Sequence, residues 1–187
     1  MRLVVAFSDR SLADYANRLE QLAAGSGRAM LAQSLNQAGA EIRHETVAAE
    51  AKQTALSGAL IDRAQHAIDA TAGSLTYTIT ARGGDVRLKF FGAKENSAGV
   101  SADPWGRQTE YADAWIKGGF HGRRVDLGFG GEVKRRVGAS RLPTKTVKSG
   151  LFIPTEMVKG QTAGVFDVSS SVAASRIVSR LGALLAS

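Results

Sequence analysis

Helical spacing of apolar residues dominates the first part of the chain. A short apolar run at residues 2–7 predicts a strand, and apolar residues then recur every three or four positions. Ser11 followed by Asp14 has the form of a capping box, which marks the start of the first helix. The predicted helices span roughly residues 11–24, 28–52 and 57–71.

The second predicted helix has an apolar face. The residues on that face are Leu31, Leu35, Ala38, Ile42, Thr46 and Ala49. Charged residues, Glu41 and Glu50 among them, lie largely off the stripe, as expected of a helix with one solvated side. Gly39 inside the helix costs up to about 1 kcal/mol relative to alanine, which favours close approach of another element there.

Beyond residue 74 the apolar period changes from that of a helix to that of a strand. Alternation at residues 75–80 and 86–90, on either side of a glycine-containing turn, predicts a β-hairpin. Further strands are predicted at residues 98–102 and 109–116, and the Pro104-Trp105-Gly106 sequence between them predicts a turn.

The stretch from Arg123 to Met157 begins as another predicted half-buried strand. Its alternating apolar residues are Val125, Leu127, Phe129, Val133 and Val137, interrupted by a glycine pair. An extended loop is predicted next, at residues 138–160, and it contains Pro143 and Pro154.

The order of these elements predicts a fold class. A helix at about residues 168–186, capped by the serines at 169–171, completes the chain. Helices at residues 8–72, a sheet at 75–137 and one last helix indicate a single α+β domain over residues 1–187 with a central antiparallel sheet. That order differs from the strand–helix alternation of a nucleotide-binding fold.

Composition narrows the class of protein. The chain has 187 residues, of which 44% are hydrophobic, so a core of ordinary size is expected. It contains no cysteine, which excludes disulfides and thiolate chemistry. Its apolar runs are shorter than the roughly 18–20 residues that span a bilayer, and the N-terminal run is too short for a signal peptide. We therefore expect a soluble protein with no membrane partner.

The charge of the protein is concentrated in one segment. Residues 117–159 contain ten Lys and Arg against three acids, a net charge of +7. This equals the formal charge of the whole chain, so the remainder sums to zero. A strongly basic surface of this kind indicates a polyanion or an acidic protein surface as the partner.

Residues that carry chemistry in enzymes form no recognisable pattern in this sequence. The three histidines, His44, His66 and His121, are widely spaced and lie outside any HExxH-type arrangement. The glycine-rich stretch at residues 128–131 lacks the GxxxxGK(S/T) spacing of a phosphate-binding loop, and strand-like sequence follows it. We therefore expect no catalytic residue, no cofactor, no metal site and no enzymatic activity.

Five cations are the candidates for contact with DNA. They are Arg123, Arg124, Lys134, Arg135 and Arg136, on two strand-like runs that would form one ribbon if they paired. Each phosphate neutralised on duplex DNA would add a salt-dependent term with a slope of about −0.9. The alternatives are pairing with acids of a neighbouring subunit and a solvated strand face. Motifs for base-specific recognition are absent from the sequence, so any DNA binding would be non-specific.

Two passages resemble the prophage minor tail protein Z family. Residues 89–116, KFFGAKENSAGVSADPWGRQTEYADAWI, are similar to the middle of that family, where a strand precedes a comparable Pro-Trp-Gly-Arg passage. Residues 135–158, RRVGASRLPTKTVKSGLFIPTEMV, resemble its later signature. The matching positions are Arg136, Arg141, Leu142, Pro143, Gly150, Ile153 and Pro154.

The resemblance implies a structural virion protein of a long-tailed phage or a related gene transfer agent, assembled in the bacterial cytoplasm. Such a tail-completion or neck protein forms a homo-oligomeric, hexameric ring that joins the tail tube or tail terminator to the head connector or adaptor. Duplex DNA would pass through the ring without sequence-specific contacts, beside the five candidate cations. The alternative is a free-standing, non-specific nucleic-acid-binding module.

The predicted loop at residues 138–160 is the candidate contact with a neighbouring subunit or the connector, because long loops without secondary structure are usually functional. The residues assigned to this interface are Arg141, Leu142, Pro143, Lys145, Lys148, Leu151, Phe152, Ile153 and Pro154.

Overall fold

The computed structural model describes residues 2–5, 26–119 and 123–186, and it has the predicted α+β architecture. The first predicted helix, at residues 11–24, lies outside the described residues. The helices are α1 (Ser26–Thr54), α2 (Gly58–Ala64), α3 (Ile153–Glu156) and α4 (Gly160–Ala186), with 3₁₀ turns at Leu88–Phe91 and Pro104–Gly106. The strands are β1 (Arg2–Val5), β2 (Gln65–Ile68), β3 (Tyr77–Ala81), β4 (Asp85–Arg87), β5 (Lys94–Glu95), β6 (Gly99–Ala102), β7 (Thr109–Ala112), β8 (Ala114–Trp115), β9 (Lys134–Arg136), β10 (Thr144–Thr146) and β11 (Lys148–Phe152).

The described strands form small antiparallel sheets, where one continuous central sheet was predicted. Their orders are β1-β3-β2, β5-β6-β7, β8-β9-β10 and the pair β4-β11. The predicted hairpin is wrong, because β3 pairs with β1 and β2 while β4 pairs with β11. Strand β3 lies between β1 and β2, and its Tyr77, Thr78 and Ile79 are all buried. A glycine turn signals a change of direction but does not decide which strands pair.

Helix α1 buries its predicted face, with Ile42 in the main core and Leu31 and Leu35 in a second apolar cluster. Leu31, Leu35 and Ile42 are at most 4% exposed, and the predicted close approach at Gly39 is confirmed. A Cβ at Gly39 would lie 2.6 Å from the Cε1 atom of Tyr77 and closer still to two other atoms of that ring. The glycine therefore lets β3 pack its tyrosine directly against the helix backbone.

Two helix boundaries differ from the prediction. The third predicted helix, at residues 57–71, ends at Ala64 and continues as strand β2, whose hydrogen bonds to β3 outweigh its local helical spacing. The C-terminal helix begins at Gly160, so the serines at 169–171 lie inside it and are not its cap. Helix α4 packs along α1, where Ile177 joins Leu31 and Leu35 in a second apolar cluster.

The basic segment is folded differently from the prediction. Val125, Leu127 and Phe129 are 41–61% exposed and lie outside the strands, where a half-buried strand was predicted. The predicted extended loop at residues 138–160 is also wrong, because it contains β10, β11 and α3. Leu151 and Ile153 lie in the main core with 0% and 4% of their surface exposed, so their burial pulls this segment back onto its own chain.

A polar cluster lies inside the core between α1, β2 and α3. Glu50 is fully buried and accepts a hydrogen bond from the Nε2 atom of Gln65 at 2.8 Å. Gln53 donates to Glu156 at 3.0 Å and accepts from the backbone N–H of Thr162 at 3.0 Å, which ties α1 to the short α3 and to the start of α4.

Among the described helices, none combines the length and the hydrophobicity that crossing a membrane requires.

Candidate functional site

A cleft of about 990 Å³ lies where many of the predicted basic residues converge. Its walls are the β5–β6 turn at residues 96–99, strand β8 with the segment after it, and the β9–β10 loop. The charged residues among its described lining are Lys117, Arg124, Arg135, Arg136, Arg141 and Asp113. We call this site the basic cleft.

Strand β9 is the central strand of its sheet and places Arg135 in the wall of the cleft. Arg135 is directly opposite Ala114 on β8 and Lys145 on β10. Two cations facing each other across adjacent strands repel, so this pair is unfavourable. The Nε atom of Arg135 is buried and has no hydrogen-bond acceptor within the described part of the chain. The fold therefore leaves a donor and a positive charge unsatisfied at this position.

Arg124 lines the cleft but is occupied by its own chain. Its guanidinium is 3.1 Å from the Glu95 carboxylate and donates to the backbone carbonyls of Gly119 and Lys117 at 2.8 and 3.3 Å. These contacts hold the segment after β8, together with the antiparallel bridge between Gly118 and Val125. Arg124 is thus a structural part of the wall, with its charge already paired.

The five predicted DNA-contacting cations do not form one ribbon. The segment at residues 123–124 does not pair with β9, whose partners are β8 and β10. Arg136 lines the cleft and is exposed, whereas Arg123 is exposed outside its lining. Lys134 donates to the Oγ1 atom of Thr146 at 2.7 Å, on the other side of the strand from Arg135. The structure therefore brings Arg124, Arg135 and Arg136 into the lining of one cleft. Arg123 and Lys134 are outside that lining, although the Nζ atom of Lys134 lies 5.4 Å from the centroid of the Phe129 ring.

One wall of the cleft is apolar and exposed. The rings of Trp115 and Phe129 are tilted against each other with their centroids 6.1 Å apart. Leu127 and Leu142 line the same cleft and are 46% and 71% exposed. An apolar surface of this kind beside cations is typical of a binding site for another molecule.

Glu132 anchors the turn that presents Phe129 to the cleft. The backbone N–H of Glu132 donates to the carbonyl of Phe129 at 3.1 Å, and its carboxylate pairs with Arg87 at 2.6 Å and Lys89 at 3.1 Å. Burial by itself would raise the pKa of Glu132, but the hydrogen bonds and charges of those two cations lower the pKa below its usual value. The carboxylate is therefore ionised over the whole neutral range.

The residues predicted for the interface loop fall into three groups. Arg141 and Leu142 line the basic cleft, and Pro143 closes their loop by accepting a hydrogen bond from the N–H of Val137 at 3.0 Å. Exposed residues away from the cleft lining are Lys145, Lys148 and Phe152. Leu151 and Ile153 are core residues, and their burial excludes them as interface residues. Pro154 is half-buried in α3.

Sequence reasoning missed Trp115, the Asn96 turn and the exposure of Phe129 as parts of this site. The aromatic residues near so many cations were the available signal, but alternation predicted that Phe129 would be half-buried. No group of three His, Cys, Asp or Glu residues in the described ranges is placed to hold a metal ion. The cleft offers hydrogen-bond donors, positive charge and apolar surface, which together can bind an anionic group and an apolar one side by side.

Comparison with protein-family models, with curated proteins and with solved structures finds no match to this chain.

Proposed function

We propose that this chain is a structural virion protein, a tail-completion or neck protein that joins the tail tube to the head connector. Copies of the chain would form a ring at this junction, with DNA passing through without sequence-specific contacts. The proposal combines the resemblance of residues 89–116 and 135–158 with the charge distribution of the folded chain.

The basic cleft is the observation that supports this proposal best. Arg136 and Arg141 come from the two groups of residues predicted separately to face DNA and to contact a neighbour, and the fold places them in one cleft. Among the described residues, neither has an ion-pair partner within its own chain. A joining protein needs a surface of this kind, complete in the free subunit and left unsatisfied until assembly.

Deletion of the gene from a strain that produces the particle tests the proposal. We expect electron micrographs to show filled heads and full-length tails that are separate, with joining restored by the wild-type chain supplied from a plasmid. Label attached to the complementing chain should appear at the junction between head and tail. Joined particles in the deletion strain, or label at the tail tip or in the cytosol alone, would refute the proposed function.

A non-specific nucleic-acid-binding module is the second candidate, and the unpaired cations of the cleft are the observation in its favour. If Lys117, Arg135, Arg136 and Arg141 all contacted phosphates of duplex DNA, the logarithm of the affinity would fall with that of the salt concentration with a slope of roughly −3.6. Titration of the isolated chain with a duplex at several salt concentrations decides between the candidates. Micromolar binding with this slope favours the module, and negligible binding favours the joining protein.

A further inference from the structure

We infer that the basic cleft is the docking site for an acidic segment of a partner protein, one that inserts a bulky apolar side chain between Phe129 and Leu142. This inference rests on the proposed function and extends it, because the partner would be another protein of the junction. All the residues described as lining the cleft belong to one chain.

The size of the cleft favours a protein segment over duplex DNA. A volume of about 990 Å³ is too small to admit a duplex, whose major groove alone is roughly 12 Å wide. It lies at the upper end of the range of about 300–1,000 Å³ for sites that enclose a compact ligand. A duplex would therefore touch only the rim, and it would leave Arg135 and the apolar wall uncovered.

The composition of the lining also favours a protein. Four of the five cations that line the cleft are arginines and one is Lys117, and the aromatic pair Trp115 and Phe129 lies beside them. Protein interfaces are enriched in aromatic residues and arginine and depleted of lysine. Leu127 and Leu142 are aliphatic, so they offer little stacking surface to a base but fit an apolar side chain.

The charges require the occupant to be acidic. Arg135 has a buried Nε atom with no acceptor, and it faces Lys145 across the strands. Guanidinium groups bind carboxylates through paired hydrogen bonds, so a carboxylate would pair with the exposed guanidinium of Arg136 and would offset the positive charge that Arg135 adds to the same cleft. A second acidic residue would pair with Arg141, which is exposed and lines the same cleft.

A second copy of this chain is a weaker match to the cleft. Among the described residues, an exposed acid that lies near an exposed aromatic residue outside the cleft lining is Asp103, next to Trp105. The indole of Trp105 is close enough to Glu156 of its own chain to help lower the pKa of that carboxyl. That surface offers one free carboxylate and an aromatic ring that is partly engaged, whereas the cleft presents several unpaired cations.

Fluorescence titration of the isolated chain tests the inference. Trp115 reports from the wall of the cleft once Trp105 is replaced by phenylalanine. The probes are three synthetic peptides, DEFDE, DEADE and KKFKK, and a single-stranded oligothymidylate of five nucleotides. We expect DEFDE to bind at least tenfold more tightly than DEADE and than the oligonucleotide, and KKFKK to leave the fluorescence unchanged.

Variants identify the residues responsible. We expect Arg141→Glu or Arg136→Glu to weaken DEFDE binding at least tenfold, and Leu142→Ala to weaken DEFDE while leaving DEADE unaffected. All three side chains are exposed, so the fold should tolerate these changes. Arg63→Glu is the matched control, because Arg63 is exposed on α2 away from the cleft lining.

Several outcomes would overturn the inference. Equal affinity for DEFDE and DEADE would do so, and so would tighter binding of the oligonucleotide than of DEFDE. An effect of the Arg63→Glu control equal to that of the cleft variants would also do so. Concentration-dependent dimerisation that is blocked by DEFDE would make a second copy the occupant. The titration uses the isolated chain and the deletion experiment uses particles. Failure of one therefore does not imply failure of the other.

Discussion

Glu50→Gln is predicted to stabilise the protein at alkaline pH and to leave it nearly unchanged at acidic pH. Glu50 lies in α1 with 0% of its surface exposed. Burial raises the pKa of its carboxyl from 4.5 to about 7, the hydrogen bond from Gln65 opposes that rise, and the charge of Glu156 adds to it. The Oε1 atom of Glu50 has no partner among the described residues, so little compensates for a negative charge there.

The size of the effect follows from the difference in pKa. In the unfolded chain the carboxyl ionises near pH 4.5, whereas in the folded chain it stays protonated to about pH 7. As pH rises through this window the unfolded state loses its proton first, so the wild-type chain loses stability. At about 1.4 kcal/mol for each pKa unit, the total loss is about 3 kcal/mol. Glutamine keeps the shape and the contact with Gln65 but does not ionise.

Urea denaturation of both chains at a series of pH values between 4.5 and 8 measures this prediction. We expect the variant to be more stable than the wild type by about 3 kcal/mol at pH 8 and by less than about 0.5 kcal/mol at pH 4.5. Glu41→Gln is the control, because Glu41 is exposed on the same helix and its contact with Arg176 is a surface ion pair of 3.7 Å. Such a pair contributes little to stability.

A difference between wild type and variant that stays constant with pH would refute the reasoning, and so would a wild type that gains stability relative to the variant as pH rises.

Glu156 provides an internal check with the opposite sign. Burial would raise its pKa, but hydrogen bonds from Lys159 and Gln53 lower it below the usual value. Its contribution to stability is therefore present above the ordinary carboxyl pKa and is lost as pH falls through the lowered value. This acid-side loss should be the same in wild type and Glu50→Gln.

Two further predictions concern packing and charge in the scaffold. Gly39→Ala should destabilise the protein by about 1–3 kcal/mol in urea denaturation, because the new Cβ overlaps the Tyr77 ring. Gly164→Ala in α4 is the control: its new Cβ meets no atom within 4 Å, so it should stabilise the protein by up to about 1 kcal/mol. Equal effects of the two changes would contradict the packing argument. Glu132→Gln should lower stability by about 1–3 kcal/mol at pH 7, because Arg87 and Lys89 stabilise the native carboxylate. The pKa of Glu132 is lowered, so this effect should be lost as pH falls through the lowered value. An effect that does not change between neutral and acid pH would count against the ion pairs.

The sequence by itself determined the fold class, the main helix and the location of the charge. The apolar face of α1 is visible because helical period is a property of neighbouring residues along the chain. The close approach at Gly39 was also predictable, because a glycine in a helix interior costs stability unless packing offsets it. The concentration of cations in residues 117–159 required no structure at all.

Only the tertiary structure decided which strands pair and which residues meet in the cleft. Strands β4 and β11 are far apart along the chain, and the burial of Leu151 and Ile153 brings them together although local pattern predicted a loop. The exposure of Phe129 and the burial of Glu50 were also decided by the tertiary structure, because each depends on which distant residues pack nearby. Strand pairing and burial depend on residues distant in sequence, and local periodicity carries no information about those partners.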